Sequence, residues 1–205
     1  MPRIKGRKPE DTRESVLAAA VSAFADLGFA NATLAVIAER AGVTAATLPY
    51  HFKDKQGLWD AVIAGFYKEI VRFAATMATG GSPPRALEEA LGLVYAWAEE
   101  NRNGIRVIIR NVIETGSLDK QVRDVQMGPA FDLVSRLTAQ RFGVSLERAR
   151  NAAVVVTHLI TRFVTNSPED NRQALGVATL DEARQRIVAS LAVTARALLG
   201  LPENA

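Results

Sequence analysis

The sequence predicts an all-α fold on three observations. Apolar residues recur at helical spacing in segment after segment. No stretch alternates apolar and polar residues for long enough to argue a strand, and capping hydroxyls, glycines and prolines punctuate the segments where helices start and stop. The 205 residues allow one large domain or a small module fused to a larger one, and a 48% hydrophobic content can build a sizeable core for either.

The first helix is expected from Asp11 to about Leu27, with Val16, Leu17, Ala20, Phe24 and Leu27 on one face, Asp11 or Thr12 as cap and Gly28 as stop. Thr33 and Thr44 each precede a short apolar pattern, with Ala41-Gly42-Val43 between them, which reads as helix, tight turn, helix. A longer helix begins near Gln56 and carries Leu58, Trp59, Val62, Phe66, Ile70 and Phe73 along one stripe as far as Thr79-Gly-Gly-Ser-Pro-Pro84. Helical segments at about 85–101, 104–114, 119–141 and 145–166 follow, then a polar loop from Ser167 to Val177 and a last helix of about 180–199 closed by Gly200 and Pro202. The total is about nine helices, without internal repeats or low-complexity segments.

Composition removes several functions. With no cysteine there is no disulfide framework, thiolate metal site, iron–sulfur cluster or cysteine nucleophile. Only His51 and His158 are present, too few for a histidine-rich metal site, and the acid pairs Glu88/Glu89, Glu99/Glu100, Glu169/Asp170 and Asp181/Glu182 splay apart on helices instead of converging. No metal or cofactor is therefore expected. The charge-free helical stretches are far shorter than the ~20 residues of a membrane span, so no membrane partner is expected and the chain reads as cytoplasmic. A net charge of +3 is too small to make the whole molecule a polyelectrolyte. The surplus is local: Arg3, Lys5, Arg7 and Lys8 put four bases and no acid into the first eight residues, which read as a solvated arm.

Gly42 sits where the chain reverses, a place suited to positive φ. Ala38, four residues earlier, allows close helix approach, and Leu34, Ile37, Val43 and Leu48 supply the seam beneath. An ordinary αα-hairpin would share these features. The second short helix argues otherwise, because its exposed positions are Thr44, Ala45, Ala46 and Thr47, small enough to enter a major groove, and they are followed by Tyr50, His51, Lys53 and Lys55, which can reach phosphates.

Residues 11–58 resemble the DNA-binding domain of the TetR family of bacterial transcriptional regulators, through Phe24-x-x-x-Gly28, Thr33-x-x-x-Ile37-Ala38, Ala41-Gly42-Val43-Thr44, Leu48 and His51-Phe52-x-x-Lys55-x-x-Leu58. The resemblance implies a homodimer on a partly palindromic double-stranded operator and a carboxy-terminal domain that accepts a small-molecule inducer. It implies an arm at 1–10, a DNA-binding domain at 11–56 and an effector and dimerisation domain at 57–205. One position departs from the family: Pro49 stands where it usually has a tyrosine, with Tyr50 one place later. In a helix interior a proline costs about 3 kcal/mol, so a tightened or bent helix is expected, with Thr44 as its cap.

Thr33 and Thr44 at helix starts are candidate phosphate contacts, joined by Tyr50, His51, Lys55 and the arm residues Lys5, Arg7 and Lys8. Ala45, Ala46 and Thr47, with Pro49 beside them, are the candidate base readers, their methyl groups suited to thymine. In the larger part, Trp97, Met127, Phe131 and His158 are either core or pocket lining. Arg106 and Arg110, which share a face with Arg102 and Glu114, form either a solvated stripe or an anion-reading wall. The helix at 149–164 is apolar over most of its circumference, and its successor carries Ile187, Leu191, Val193, Leu198 and Leu199 on more than one face, so the pair is the expected dimer surface. The rival readings are a DNA-binding protein without ligand control and a helical enzyme, the latter disfavoured because no catalytic constellation is visible. Without thiols a small organic effector is the leading signal.

Overall fold

The computed structural model describes residues 9–79 and 86–202. The arm residues Lys5, Arg7 and Lys8 and the Gly80–Pro84 breaker lie outside the described residues. Among those described there is no strand, and the elements are α1 (Pro9–Asn31), α2 (Leu34–Ala41), α3 (Thr47–Phe52), α4 (Lys55–Thr79), α5 (Leu87–Glu100), α6 (Arg102–Thr115), a π-helical segment (Val122–Met127), α7 (Gly128–Phe142), α8 (Leu146–Thr165), α9 (Pro168–Leu175) and α10 (Leu180–Leu199). No helix among them is long and apolar enough to cross a membrane.

Three local expectations need correction. The first helix starts at Pro9, two residues early, and breaks at Gly28 (φ 78°, ψ 170°) before a last turn to Asn31. The polar stretch after Ser167 is a helix instead of a loop. Pro168, Ala174 and Leu175 are its only apolar side chains, so its ends define it: the Ser167 hydroxyl accepts from Asp170 N–H at 3.0 Å, Pro168 occupies the first turn, and Gly176 stops it at φ 63°. Buried Asn171 anchors it by donating to the Phe163 carbonyl at 2.7 Å. The third correction concerns the segment expected at 119–141, which opens with a π-helical stretch. Pro129 lacks an N–H and its ring would crowd the carbonyl four residues back; immediately before it the turn widens, and Gly128 N–H bonds the Arg123 carbonyl five residues back.

Two cores organise the molecule. Val16, Ala20, Phe24, Ile37, Leu48, Leu58, Trp59 and Ile63 join α1 to α4 in the first, into which Val107 of α6 and Ala130 of α7 also reach. Leu91, Tyr95, Val156, Ile160, Val164, Ile187, Leu191 and Leu199 build the second from α5, α8 and α10. Tyr95 is so enclosed that burial pushes its phenol up to about 12. α4 bridges the cores: Tyr67 packs in the first while its neighbour Phe66 packs in the second, 6.1 Å from the Trp97 ring.

Phe66 also closes over Gly104 of α6, where an added Cβ would overlap the ring edge. Gly104→Ala therefore overpacks the α4–α6 crossing and is expected to cost about 1–3 kcal/mol. A circular-dichroism melt should show Tm falling by about 2–4 °C per kcal/mol for a chain of this length.

Candidate DNA-binding interface

The helix-turn-helix is built from its caps. The Thr33 hydroxyl accepts from Val36 N–H at 3.2 Å, and Gly42 (φ 67°, ψ 33°) lets its own N–H and that of Val43 close onto the Glu39 and Ala38 carbonyls. Ile37, Ala38 and Leu48 are buried in the seam as expected. Thr44 does not cap the next helix. Thr47 N–H bonds the Thr44 carbonyl at 2.9 Å and Leu48 N–H bonds the Ala45 carbonyl at 3.3 Å, a tight turn of i→i+3 bonds, so α3 starts only at Thr47. The Thr44 hydroxyl instead meets that of Thr47 at 3.0 Å.

This later start accommodates Pro49. The proline becomes the third residue of α3, where an N–H would have no intrahelical partner, and the carbonyl of Ala45 it would have bonded is taken by Leu48. The expected tightening thus falls before the helix. Thr44, Ala45, Ala46 and Pro49 are exposed, Thr47 and His51 are half-buried, and Tyr50 is 84% exposed with its ring edge-on to His51.

The α3–α4 junction carries two lysines in different circumstances. Lys55 donates from Nζ to the Ala30 carbonyl at 3.0 Å and lies 4.6 Å from the Phe29 ring centroid, tying the start of α4 to the end of α1. Lys53 is exposed, at φ 66° and ψ −62°, in a γ-turn closed by Asp54 N–H to the Phe52 carbonyl at 2.8 Å. Asp54 then caps α4 by accepting from Gly57 N–H at 2.8 Å. Sequence reading missed Arg13: its guanidinium lies 5.1 Å from the Phe52 ring centroid, beside the end of α3. No local motif marks it, because the contact joins residues far apart in the chain.

The six candidate pocket residues are spread over α5, α6, the π-helical segment, α7 and α8. Arg106 pairs with the Asp26 carboxylate at 3.7 Å, and Arg110 donates to the Asp26 carbonyl at 2.7 Å while pairing with Glu114 at 2.7 Å. Both arginines therefore join α6 to α1. Arg40 of α2 shares the same Asp26 carboxylate at 2.9 Å and also donates to Ser22. An added Cβ on Gly28 would meet Glu114 and Arg110 at 2.6 and 2.7 Å, so the glycine permits this approach as well as the break in α1. Trp97 stacks on Phe73 at 5.2 Å, Met127 packs against the first core, and Phe131 is half-buried on α7. His158 is exposed, not buried, with Nδ1 2.7 Å from the Val154 carbonyl. Two open depressions, of about 620 and 400 Å³, lie at the α9–α10 turn and between the α7–α8 turn and the end of α10. Neither includes any of the six.

A capped helix, a left-handed glycine turn, and a short helix entered through the exposed small side chains Thr44, Ala45 and Ala46, joined to a helical bundle, define a helix-turn-helix protein. The family described as "Bacterial regulatory proteins, tetR family" matches residues 16–62. The chain is 30% identical over 154 residues to the HTH-type transcriptional activator FasR of Mycolicibacterium smegmatis, covering 72% of this chain and 68% of that protein. It is 31% identical over 130 residues to the HTH-type transcriptional repressor KstR2 of the same organism, covering 62% and 58%. The matches span 55% and 34% of the lengths of two further curated relatives. A TetR-like transcriptional regulator from Rhodococcus sp. RHA1 shares the fold at a TM-score of 0.63, with 24% identity over 98% of this chain and 99% of that one. The chain belongs to the tetR family of bacterial regulatory proteins.

The Lys55 contacts are measurable. Lys55→Met keeps the stem and removes the donor from the Ala30 carbonyl and the charge from the Phe29 ring. The expected loss is about 1 kcal/mol, read as a lower Tm in a thermal melt, and an unchanged Tm would show that the two interactions contribute nothing.

Proposed function

We propose that this chain is a DNA-binding transcriptional regulator, a repressor that holds a partly palindromic operator as a homodimer and is released by a small-molecule ligand. The single observation that carries the reading is the exposed surface of α3 and of the tight turn that leads into it. Ala45, Ala46, Thr47 and Pro49 offer methyl and methylene groups to base edges, while Thr33, Thr44, Tyr50, His51, Lys55 and the arm residues Lys5, Arg7 and Lys8 hold phosphates. Family membership supports it, and so does KstR2, which is named as a repressor; FasR is named as an activator, so the direction of control is the part that needs its own measurement. The same reading divides the chain into an arm at 1–10, a DNA-binding unit at 11–56 and an effector and dimerisation unit at 57–205, acts in the cytoplasm and involves no enzymatic step.

Release would run through α6. Arg106 and Arg110 grip Asp26 from α6 and Arg40 grips it from α2, so a ligand that shifts α6 also moves the ends of α1 and α2. The Phe73–Trp97 stack joins α4 to α5, which makes Trp97 a reporter of any movement between them. Dimerisation is assigned to α8 and α10, where Val193 stands 66% exposed among the small neighbours Ala189, Ser190 and Ala197.

Selection from a random duplex pool, followed by band shifts in added salt, tests the first claim. Enrichment of one partly palindromic sequence and loss of its shift with cell metabolites are expected; binding that ignores both sequence and salt would sink the mechanism. Val193→Glu places a charge in the proposed interface. Sedimentation should then find monomers, with operator affinity reduced by at least tenfold.

A further inference from the structure

We propose that Arg13 and Lys53 form a pair of DNA-phosphate contacts bracketing the carboxy-terminal end of α3, an inference that rests on α3 being the DNA-reading helix. Residues 9–60 contain four bases: Arg13, Arg40, Lys53 and Lys55. Arg40 is held by Asp26 and Ser22, and Lys55 by the Ala30 carbonyl. Arg13 and Lys53 are exposed and make no hydrogen bond or ion pair with the described residues. Arg40 is thus spent on a carboxylate and Lys55 keeps its charge but directs a donor to a carbonyl, whereas Arg13 and Lys53 keep all their donors unspent at two points next to the last residue of α3.

Their placement is built, not incidental. Phe52 is buried and closes α3, and the Arg13 guanidinium rests against its ring, which holds the side chain on that side of the helix end and leaves its N–H edges for an oxyanion. Lys53 follows Phe52 directly. Its γ-turn backbone, at a φ that side chains rarely adopt, turns the chain from α3 into α4 at this point, and strain of this kind clusters at sites that grip a ligand. The neighbouring acids form no ion pair with Arg13 or Lys53 among the described residues. Asp54 is turned into the first turn of α4 by Gly57 N–H, and Glu10 and Glu14 flank Arg13 along α1 without bonding to it. A helix lying in a major groove has a phosphate strand near each end, and cations just past its last residue are positioned for one of them. Phosphate contacts of this kind position the protein without reading sequence, so they are visible on DNA of any sequence.

The test measures binding of the full chain to a fluorescein-labelled duplex of arbitrary sequence by anisotropy, across a salt series. Arg13→Gln removes one charge, and Lys53→Gly removes the other while suiting the positive φ. Each is expected to flatten the slope of log affinity against log salt by about 0.9 for every phosphate no longer neutralised, while a cooperative melt shows that the variant is still folded. Arg13→Lys and Lys53→Arg, which keep the charges, should retain the wild-type slope and guard against loss by misfolding. A steep wild-type slope left unaltered by both Gln and Gly variants overturns the pair and leaves the DNA-binding reading standing. A change in one variant alone overturns the pairing. No salt-dependent binding by the wild type overturns both.

Discussion

The Asp26 node holds the helix-turn-helix to the rest of the molecule. One residue near the end of α1 offers two acceptor groups: its carboxylate takes Arg40 of α2 and Arg106 of α6, and its main-chain carbonyl takes Arg110 of α6. Each pair is partly exposed, and pairs of that kind contribute little individually. Their importance is geometric. Three arginines from two helices converge on one residue, and Gly28 keeps the neighbouring surface low enough for Arg110 and Glu114 to approach. Val107 in the first core supplies the apolar part of the same contact, so α6 is bonded to the amino-terminal unit both by burial and by charge.

The second constraint is local and concerns Pro49. A proline in a short helix is costly only where an N–H is needed. By delaying α3 to Thr47 and using i→i+3 bonds before it, the chain puts Pro49 where no bond is lost. The consequence reaches the surface: Pro49 and Tyr50 stand exposed beside Ala45 and Ala46, so the outer face of α3 is largely apolar with one aromatic hydroxyl at its margin. Pro129 is accommodated in the opposite manner, by widening the preceding turn to a π-helix.

The proposed regulator is accordingly a small reading head carried on a bundle whose most direct lines to it are α4 and α6. α4 runs from the cap at Asp54 through both cores, and α6 carries the arginines. Arg106 and Arg110 are held by α1, so the regular arginine spacing on α6 has a mechanical use.

The sequence by itself determined the helical class, the order and approximate bounds of the main helices, the Thr33 cap, the Gly42 turn and the seam of Ile37, Ala38 and Leu48. Those features depend on residues within about one or two helical turns of each other, and hydrophobic period and capping chemistry record such relations directly. Tertiary structure decided what depends on distant partners. Lys55 reads as a free cation until the Ala30 carbonyl and the Phe29 ring are brought to it, Arg13 carries no signal until Phe52 lies beneath it, and His158 sits in an apolar run yet faces outward. The α9 helix escaped the periodic signal because its ends and buried Asn171 stabilise it, not an apolar stripe. In each case the deciding interaction joins groups whose proximity no local pattern encodes.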